Sequence, residues 1–319
     1  MNGPECAAVA LILDRLLGDP PGNWHPVAWM GHWIALWEQK LNHPNLPAVS
    51  LRTRGVALVV ITLLVFGGGA WFLLWGLHGL QPWVGDVVSV LLIWTTVAWK
   101  GLGQAGQRVG QALTQSGLPA SRSAVAAIVG RDTKDMDVAE VVRATVETVA
   151  ENIVDAVVSP IFYACLGGPV AAIAYRAVNT LDSMVGHQSP RYRYFGWAAA
   201  RLDDLANWLP ARLTPIFLTL AFFFIGLNWR QAWRSLARDA RRHPSPNSGI
   251  PEAMMAGGLG VRLGGQNFYD GVPTKRALLG EDIHPLTAAD IESAVQVLHI
   301  TVWFLWLVLL CLSALSPRL

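Results

Sequence analysis

Between Arg54 and Lys100 the only formal charge is Asp86, and two apolar blocks, about 56–80 and 83–99, are divided at Gln81-Pro82. About 20 apolar residues cross the hydrocarbon of a bilayer, so this pattern predicts a transmembrane hairpin. No charge lies between Glu292 and Arg318, and Thr301 to Leu312 is the most lipid-like stretch of the chain, which predicts a third span over about 293–317. Two further blocks, about 156–175 and 213–229, are shorter or broken, the first by Pro160 and the Gly167-Gly168-Pro169 step. Each is read as a span or as a re-entrant segment, in which irregular backbone is tolerated where it lines a cavity. The run from Cys6 to Leu17 is too short to span, carries Asp14 and Arg15, and is followed by no cleavage site. It predicts a short helix stopped by Gly18-Asp19-Pro20-Pro21 and not a signal peptide. The fold class expected is all-α: a polytopic integral membrane protein, one membrane-embedded helical domain over 1–319, with amphipathic or re-entrant helices on its cytoplasmic side.

Composition agrees with a membrane environment. Of 319 residues 53% are hydrophobic and only 14% charged, against about 25% charged in soluble domains. A net charge of +2 provides no basic footprint for nucleic acid. Three cysteines without a C-x-x-C pair suggest neither a disulfide framework nor a zinc site. Arg52, Arg54, Lys100 and Arg108 flank the first hairpin, so the positive-inside rule places both its ends in the cytoplasm. The segment 176–212 also holds five Arg, yet it falls outside if 156–175 and 213–229 both cross. The rule and the span count disagree there.

Nearly all the unusual polar residues lie between the hairpin and the last span, in a polar region of about 130–270. Asp137 and Glu140 have capping-box spacing and predict a helix start. On that helix Arg143, Glu147, Glu151 and Asp155 recur every four residues, placing three carboxylates on one stripe. Such a stripe is costly unless cations hold it, and Mg²⁺ with a phosphorylated substrate suits it; the alternative is a solvated helix face. Arg176, Asn179, Asp182 and Ser183, then Arg201, Asp203, Asp204 and Asn207, form two more sets at helical spacing, read either as a charged cavity or as internal Arg–Asp pairs. His243-Pro-Ser-Pro-Asn-Ser-Gly249 precedes Pro251, which suits a first helical position with Ser248 or Gly249 as cap, and a helix start of this kind can hold an anion. Gly101-Leu-Gly-Gln-Ala-Gly106 fits a dinucleotide fingerprint but follows a membrane helix and not a strand, and no Gly-Lys pair exists for a Walker loop. His78 and His299, within spans, read as satisfied interhelical polar groups.

Leu13-Asp-Arg-Leu-Leu-Gly-Asp-Pro-Pro, His25-Pro-Val, Gly130-Arg-Asp-Thr133, Val146-Glu-Thr-Val-Ala-Glu-Asn152, Tyr175 to Gly186, Arg201-Leu-Asp-Asp204 and His243 to Gly249 together resemble the integral-membrane adenosylcobinamide-phosphate synthases of cobalamin biosynthesis, the CobD/CbiB family. Ala156 and Ile250 depart from the pattern without touching an ionisable group. The resemblance implies a multi-pass enzyme of the bacterial or archaeal inner membrane, with its active site on the cytoplasmic side. It would join (R)-1-aminopropan-2-ol or its O-phosphate to the free propionate of adenosylcobyric acid, consuming ATP with Mg²⁺; the corrinoid is substrate and not cofactor.

On that reading Glu147, Glu151 and Asp155 bind Mg²⁺ and nucleotide, with Asp182 or Asp203 and Asp204 completing the metal site. Arg131, Lys134 and Arg176, with Asn179 beside them, offset phosphate charge, and Asn247 and Ser248 hold a phosphate. Asp182 or His243 takes the amine proton, and Asp19 and His25 lie at the rim. Partners expected are these substrates and the bilayer, with no nucleic acid; a homo-oligomer or association with other corrinoid-pathway membrane enzymes is left open. The rivals weighed are a transporter or carrier of a charged or corrinoid substrate, and a Mg²⁺-dependent membrane prenyl transferase.

Overall fold

The computed structural model describes residues 1–20, 22, 25–187, 189–269 and 271–315. Positions 316 and 317 of the third predicted span, and Pro21 of the first helix stop, lie outside these. The helices are α1 (Gly3–Leu17), α2 (Pro26–Leu41), α3 (Ala48–Leu63), α4 (Gly69–Leu80), α5 (Pro82–Trp94), α6 (Trp99–Gln111) and α7 (Leu118–Ala126). They continue as α8 (Val138–Ile153), α9 (Ser159–Val185), α10 (Trp197–Ala206), α11 (Trp208–Ile225), α12 (Trp229–Asp239) and α13 (Gly249–Leu259). Two strands, β1 (Arg262–Tyr269) and β2 (Val272–Gly280), precede α14 (Ala288–Leu315).

Among the described residues five helical runs are long and apolar enough to cross a membrane: Ala48–Leu80, Pro82–Ser116, Val138–Val185, Trp208–Ile225 and Ala288–Leu315. The protein is thus an all-α polytopic membrane protein, as the apolar blocks predict, with one addition. The antiparallel hairpin β1–β2 follows α13 directly, beyond a left-handed Gly260 at φ 77°. Within the run Pro82–Ser116 the helix is broken between α5 and α6. The hydroxyls of Thr95 and Thr96 donate to the carbonyls of Leu92 (2.8 Å) and Ile93 (2.6 Å), and the helix stops at Trp94.

The block 156–175 is interrupted twice. A π turn over Val154–Val158 joins α8 to α9, and its apolar residues are buried. The second break, at Gly167 and Gly168, has non-helical backbone, and Gly167 is exposed instead of lining a buried cavity as expected. The chain divides into two compact units, one of Met1–Ala98, Ser159–Asn207 and Trp306–Leu319, the other of Trp99–Val158 and Trp208–Leu305.

In the first unit Ile34, Leu51, Leu58, Leu181, Val185 and Phe195 form a buried cluster that fixes the 189–196 segment against α3. The approach is closest at Gly55, where a Cβ would lie 1.9 Å from the Phe195 carbonyl oxygen. Gly55→Ala is therefore expected to destabilise this unit by about 1–3 kcal/mol, read as a lower unfolding temperature in detergent. An unchanged unfolding curve would show that the 189–196 segment yields at no cost.

In the second unit the glycine-rich run 101–106 lies within α6. A Cβ on Gly103 would meet the His299 ring at 2.7 Å, and one on Gly106 would meet Val295 at 2.8 Å. These glycines permit close helix packing and form no nucleotide loop. Trp99 Nε1 donates to His299 Nδ1 at 2.8 Å, which satisfies that intramembrane histidine.

Candidate active site

Helix α8 begins where local chemistry places it. The Asp137 carboxylate accepts from the Glu140 N–H (2.7 Å), and Glu140 returns the bond to Asp137 N–H (2.9 Å). This phase puts Arg143, Glu147 and Glu151 on one stripe, and the stripe is covered: Glu147 is only 3% exposed. Glu147 accepts from Arg131 Nη2 at 2.5 Å and from the Gly264 N–H of β1 at 2.7 Å, with Arg143 Nη1 at 3.8 Å. Arg143 donates to the carbonyls of Gly264 and Gln266, and Arg131 also donates to Asn267 Oδ1. Glu147 is thereby consumed as the ionic anchor that ties α8 and the 130s loop to β1. Lys134 is exposed on that loop, with no ion pair among the described residues.

One turn further, Glu151 is half-buried and accepts from the Ser248 hydroxyl at 2.8 Å. Ser248 is the N-cap of α13, so Gly249 and not Pro251 takes the first helical position. Its side chain does not cap its own helix. Instead Ser245 Oγ accepts from the N–H groups of Ser248 (3.2 Å) and Asn247 (3.3 Å), while Arg212 Nη1 donates to Asn247 Oδ1 at 3.3 Å. A carboxylate of the chain itself thus sits at the positive end of α13, where the sequence pointed to a phosphate. Asp155 lies in the π turn and is half-buried.

Behind this pair is a residue that sequence reasoning passed over. Glu252, on α13, is 1% exposed, and its Oε1 lies 3.5 Å from His243 Nε2; neither atom makes a hydrogen bond. His243 Nδ1 meets both the N–H (3.1 Å) and the carbonyl (3.2 Å) of Ser245, so either imidazole tautomer is held. Burial pushes His243 below the ordinary imidazole range, and burial together with the charges of Glu147 and Glu151 pushes Glu252 well above the ordinary carboxylate range. Arg276 of β2 opposes the Glu252 shift and donates to the Tyr269 hydroxyl at 3.2 Å.

Stability should follow the sign of these shifts. Glu252, with its pKa raised on folding, supports the fold fully at low pH and loses that support as pH rises above about 4.5. His243, lowered on folding, supports it above 6.5 and loses that support below. Glu252→Gln cannot ionise, so its unfolding temperature is expected to fall less between pH 5 and 9 than that of the parent. A steeper fall in the variant would contradict the buried-acid reading.

A cavity of about 320 Å³ in the same unit is lined by Asp132, Asp135, Glu140, Arg143 and Asn267. Among the described residues no group of three or more His, Cys, Asp or Glu side chains is placed to hold a metal ion. Of the expected ligands, Glu147, Glu151 and Asp155 lie in this second unit, whereas Asp203 and Asp204 belong to the first. Glu147 is neutralised by guanidiniums, and the π turn takes Asp155 out of the regular four-residue stripe. Glu151 and Asp155 still fit Mg²⁺ bound through one or two carboxylates and substrate phosphates.

The other unit holds a second polar network. Asp203 accepts from Asn207 Nδ2 (2.9 Å) and Asn179 Nδ2 (3.4 Å), and Asn207 Oδ1 accepts from Ser159 (2.5 Å) and Tyr175 (2.9 Å). Burial, then the Asp182 charge, pushes the Asp203 carboxyl up to about 7. Burial also raises Asp204, which Arg201 opposes from 3.9 Å. Arg176 donates to Asn179 Oδ1 at 3.2 Å. His25 caps α2 by accepting from Val27 N–H at 3.1 Å, and burial lowers it, against the pull of an exposed Asp19 and with the push of Arg176. The candidates of this unit thus share one electrostatic neighbourhood.

Membrane-length helices around buried, partnered charges define a polytopic membrane protein with a polar interior suited to chemistry. The family model described as CobD/Cbib protein matches residues 7–298. The chain is 45% identical over 290 residues to a cobalamin biosynthesis protein CobD of Geobacter metallireducens, covering 91% of this chain and 90% of that one. It is 42% identical over 298 residues to the protein of that name from Halalkalibacterium halodurans, covering 92% and 91%. With the one from Photorhabdus laumondii it shares 41% over 291 residues, covering 91% of each. No solved structure matches. The chain belongs to the CobD/CbiB family of cobalamin biosynthesis.

Proposed function

We propose that this protein catalyses ATP-dependent amide synthesis between adenosylcobyric acid and (R)-1-aminopropan-2-ol or its O-phosphate, giving adenosylcobinamide or its phosphate, on the cytoplasmic face of the inner membrane. The observation that carries the reading is Glu151, bound to Ser248 at the start of α13 and backed by His243 and Glu252. A carboxylate is a poor electrophile, and ATP with Mg²⁺ supplies the activation that makes its carbonyl open to an amine. Glu151 and Asp155 would hold the metal. Arg131 and Arg143 are engaged with Glu147 and β1 carbonyls, so Arg276 and Arg212, beside Glu252 and Asn247, are the cations that would meet phosphate. Asp132, Asp135 and Glu140 in the 320 Å³ cavity suit the ammonium end of the amine. His243, kept neutral by burial and held at Nδ1 by Ser245, can accept its proton, with Glu252 facing its Nε2 at 3.5 Å.

The test is an assay of the detergent-purified protein with adenosylcobyric acid, either amine, Mg²⁺ and ATP, following corrinoid mass. The expected result is a mass gain equal to the amine less water, dependent on both ATP and Mg²⁺. A protein that binds the corrinoid and yields no product with either amine is a carrier and not a ligase.

A further inference from the structure

The arginines between α9 and α10 have no role in that chemistry, and the first unit shows where they lie. The 189–196 segment packs on α3 at Gly55, and Arg191 pairs with Glu38 through bonds of 2.9 and 3.0 Å. Arg193 and Arg52 are different. Both guanidiniums stand over the Tyr194 ring, at 5.7 and 5.6 Å from its centroid, and Arg52 also stands over Trp197 at 5.6 Å. Both are exposed, and neither has a carboxylate within ion-pair distance among the described residues. Arg52 sits in the opening turns of α3, the start of a 33-residue apolar run that can cross the bilayer.

We infer that Arg52 and Arg193, both held over the Tyr194 ring, form a binding site for the phosphate of an anionic phospholipid headgroup. A guanidinium drawn to an aromatic ring by cation–π attraction keeps its N–H edge for a phosphate, which it meets with two parallel bonds. The half-exposed Trp197 belongs at the same headgroup level. A free anion would find these donors equally, but their place at the end of a membrane-length helix matches the depth of lipid phosphates. The same packing sets Arg191 and Arg193 at the Arg52 and Arg54 end of α3. By the positive-inside rule that end is cytoplasmic, where anionic lipids attract basic side chains by about 1 kcal/mol each.

The full chain in mild detergent, titrated with phosphatidylglycerol or phosphatidylcholine and read by native mass spectrometry, tests the site. Phosphatidylglycerol is expected to bind in preference to phosphatidylcholine, and Arg52→Gln with Arg193→Gln to weaken it roughly 30-fold, with phosphatidylcholine unchanged. Arg193→Gln alone, on an exposed segment, reads the same quantity at about fivefold if the double variant does not fold. Equal phosphatidylglycerol binding by Arg193→Gln and the parent overturns the proposal. Displacement of the lipid by millimolar inorganic phosphate also overturns it, in favour of a soluble-anion site.

Discussion

Glu147→Ala is expected to destabilise the second unit by about 3–5 kcal/mol, the largest loss of stability from any single substitution in the polar cluster. The side chain is 3% exposed and is shared by Arg131, Arg143 and the Gly264 N–H. Truncation leaves two guanidiniums facing each other without a counter-charge and removes the acceptor of a buried backbone donor. Glu147→Gln keeps an acceptor for Gly264 but not the charge, so it should fall between the parent and the alanine variant. Adding Arg131→Met to Glu147→Ala removes one orphaned charge and should recover part of the loss, a coupling that a double-mutant cycle measures. Thermal unfolding in detergent is the readout. An alanine variant that unfolds with the parent, and differs only in its Mg²⁺ requirement, would return Glu147 to the metal-ligand role.

That reassignment marks the boundary of what sequence periodicity can carry. The α8 start was legible because Asp137 and Glu140 satisfy each other within one turn, and the spacing of Arg143, Glu147 and Glu151 follows from helix geometry alone. Which stripe member is an anchor and which faces a reactive space depends on partners 16 and 117 residues away, Arg131 and Gly264. The hairpin supplying Gly264 escaped notice because Arg-Leu-Gly-Gly-Gln-Asn has no strand alternation; the available signal was the Asp270-Gly271 pair. Arg276 was missed with it. Glu252 follows Pro251 in the motif that drew attention to His243, but a formula of residue types has no depth, and burial is what sets its proton affinity. The membrane blocks were legible for the opposite reason, since apolar length is a local property.

Glu151→Gln should separate activity from stability. Glu151 is half-buried, and glutamine can still accept from the Ser248 hydroxyl, so unfolding should change little. The charge at the start of α13 is lost, however, and with it, on the proposed function, a carboxylate that would hold Mg²⁺. Removing one preorganised electrostatic contact at a reacting centre typically costs 10²–10³ in kcat, and a loss of about that size is expected in ATP-dependent product formation. Ser248→Ala offers the complementary change, because it keeps the carboxylate charged and removes only the hydroxyl that orients it. One charge-assisted hydrogen bond supports a loss of about tenfold there. Glu151→Gln should also raise the Mg²⁺ concentration needed for half-maximal rate, which Ser248→Ala should leave nearly in place. If instead both variants lose activity equally and both unfold at lower temperature, Glu151 is a structural acceptor for Ser248, and the metal-holding role moves to Asp155 alone.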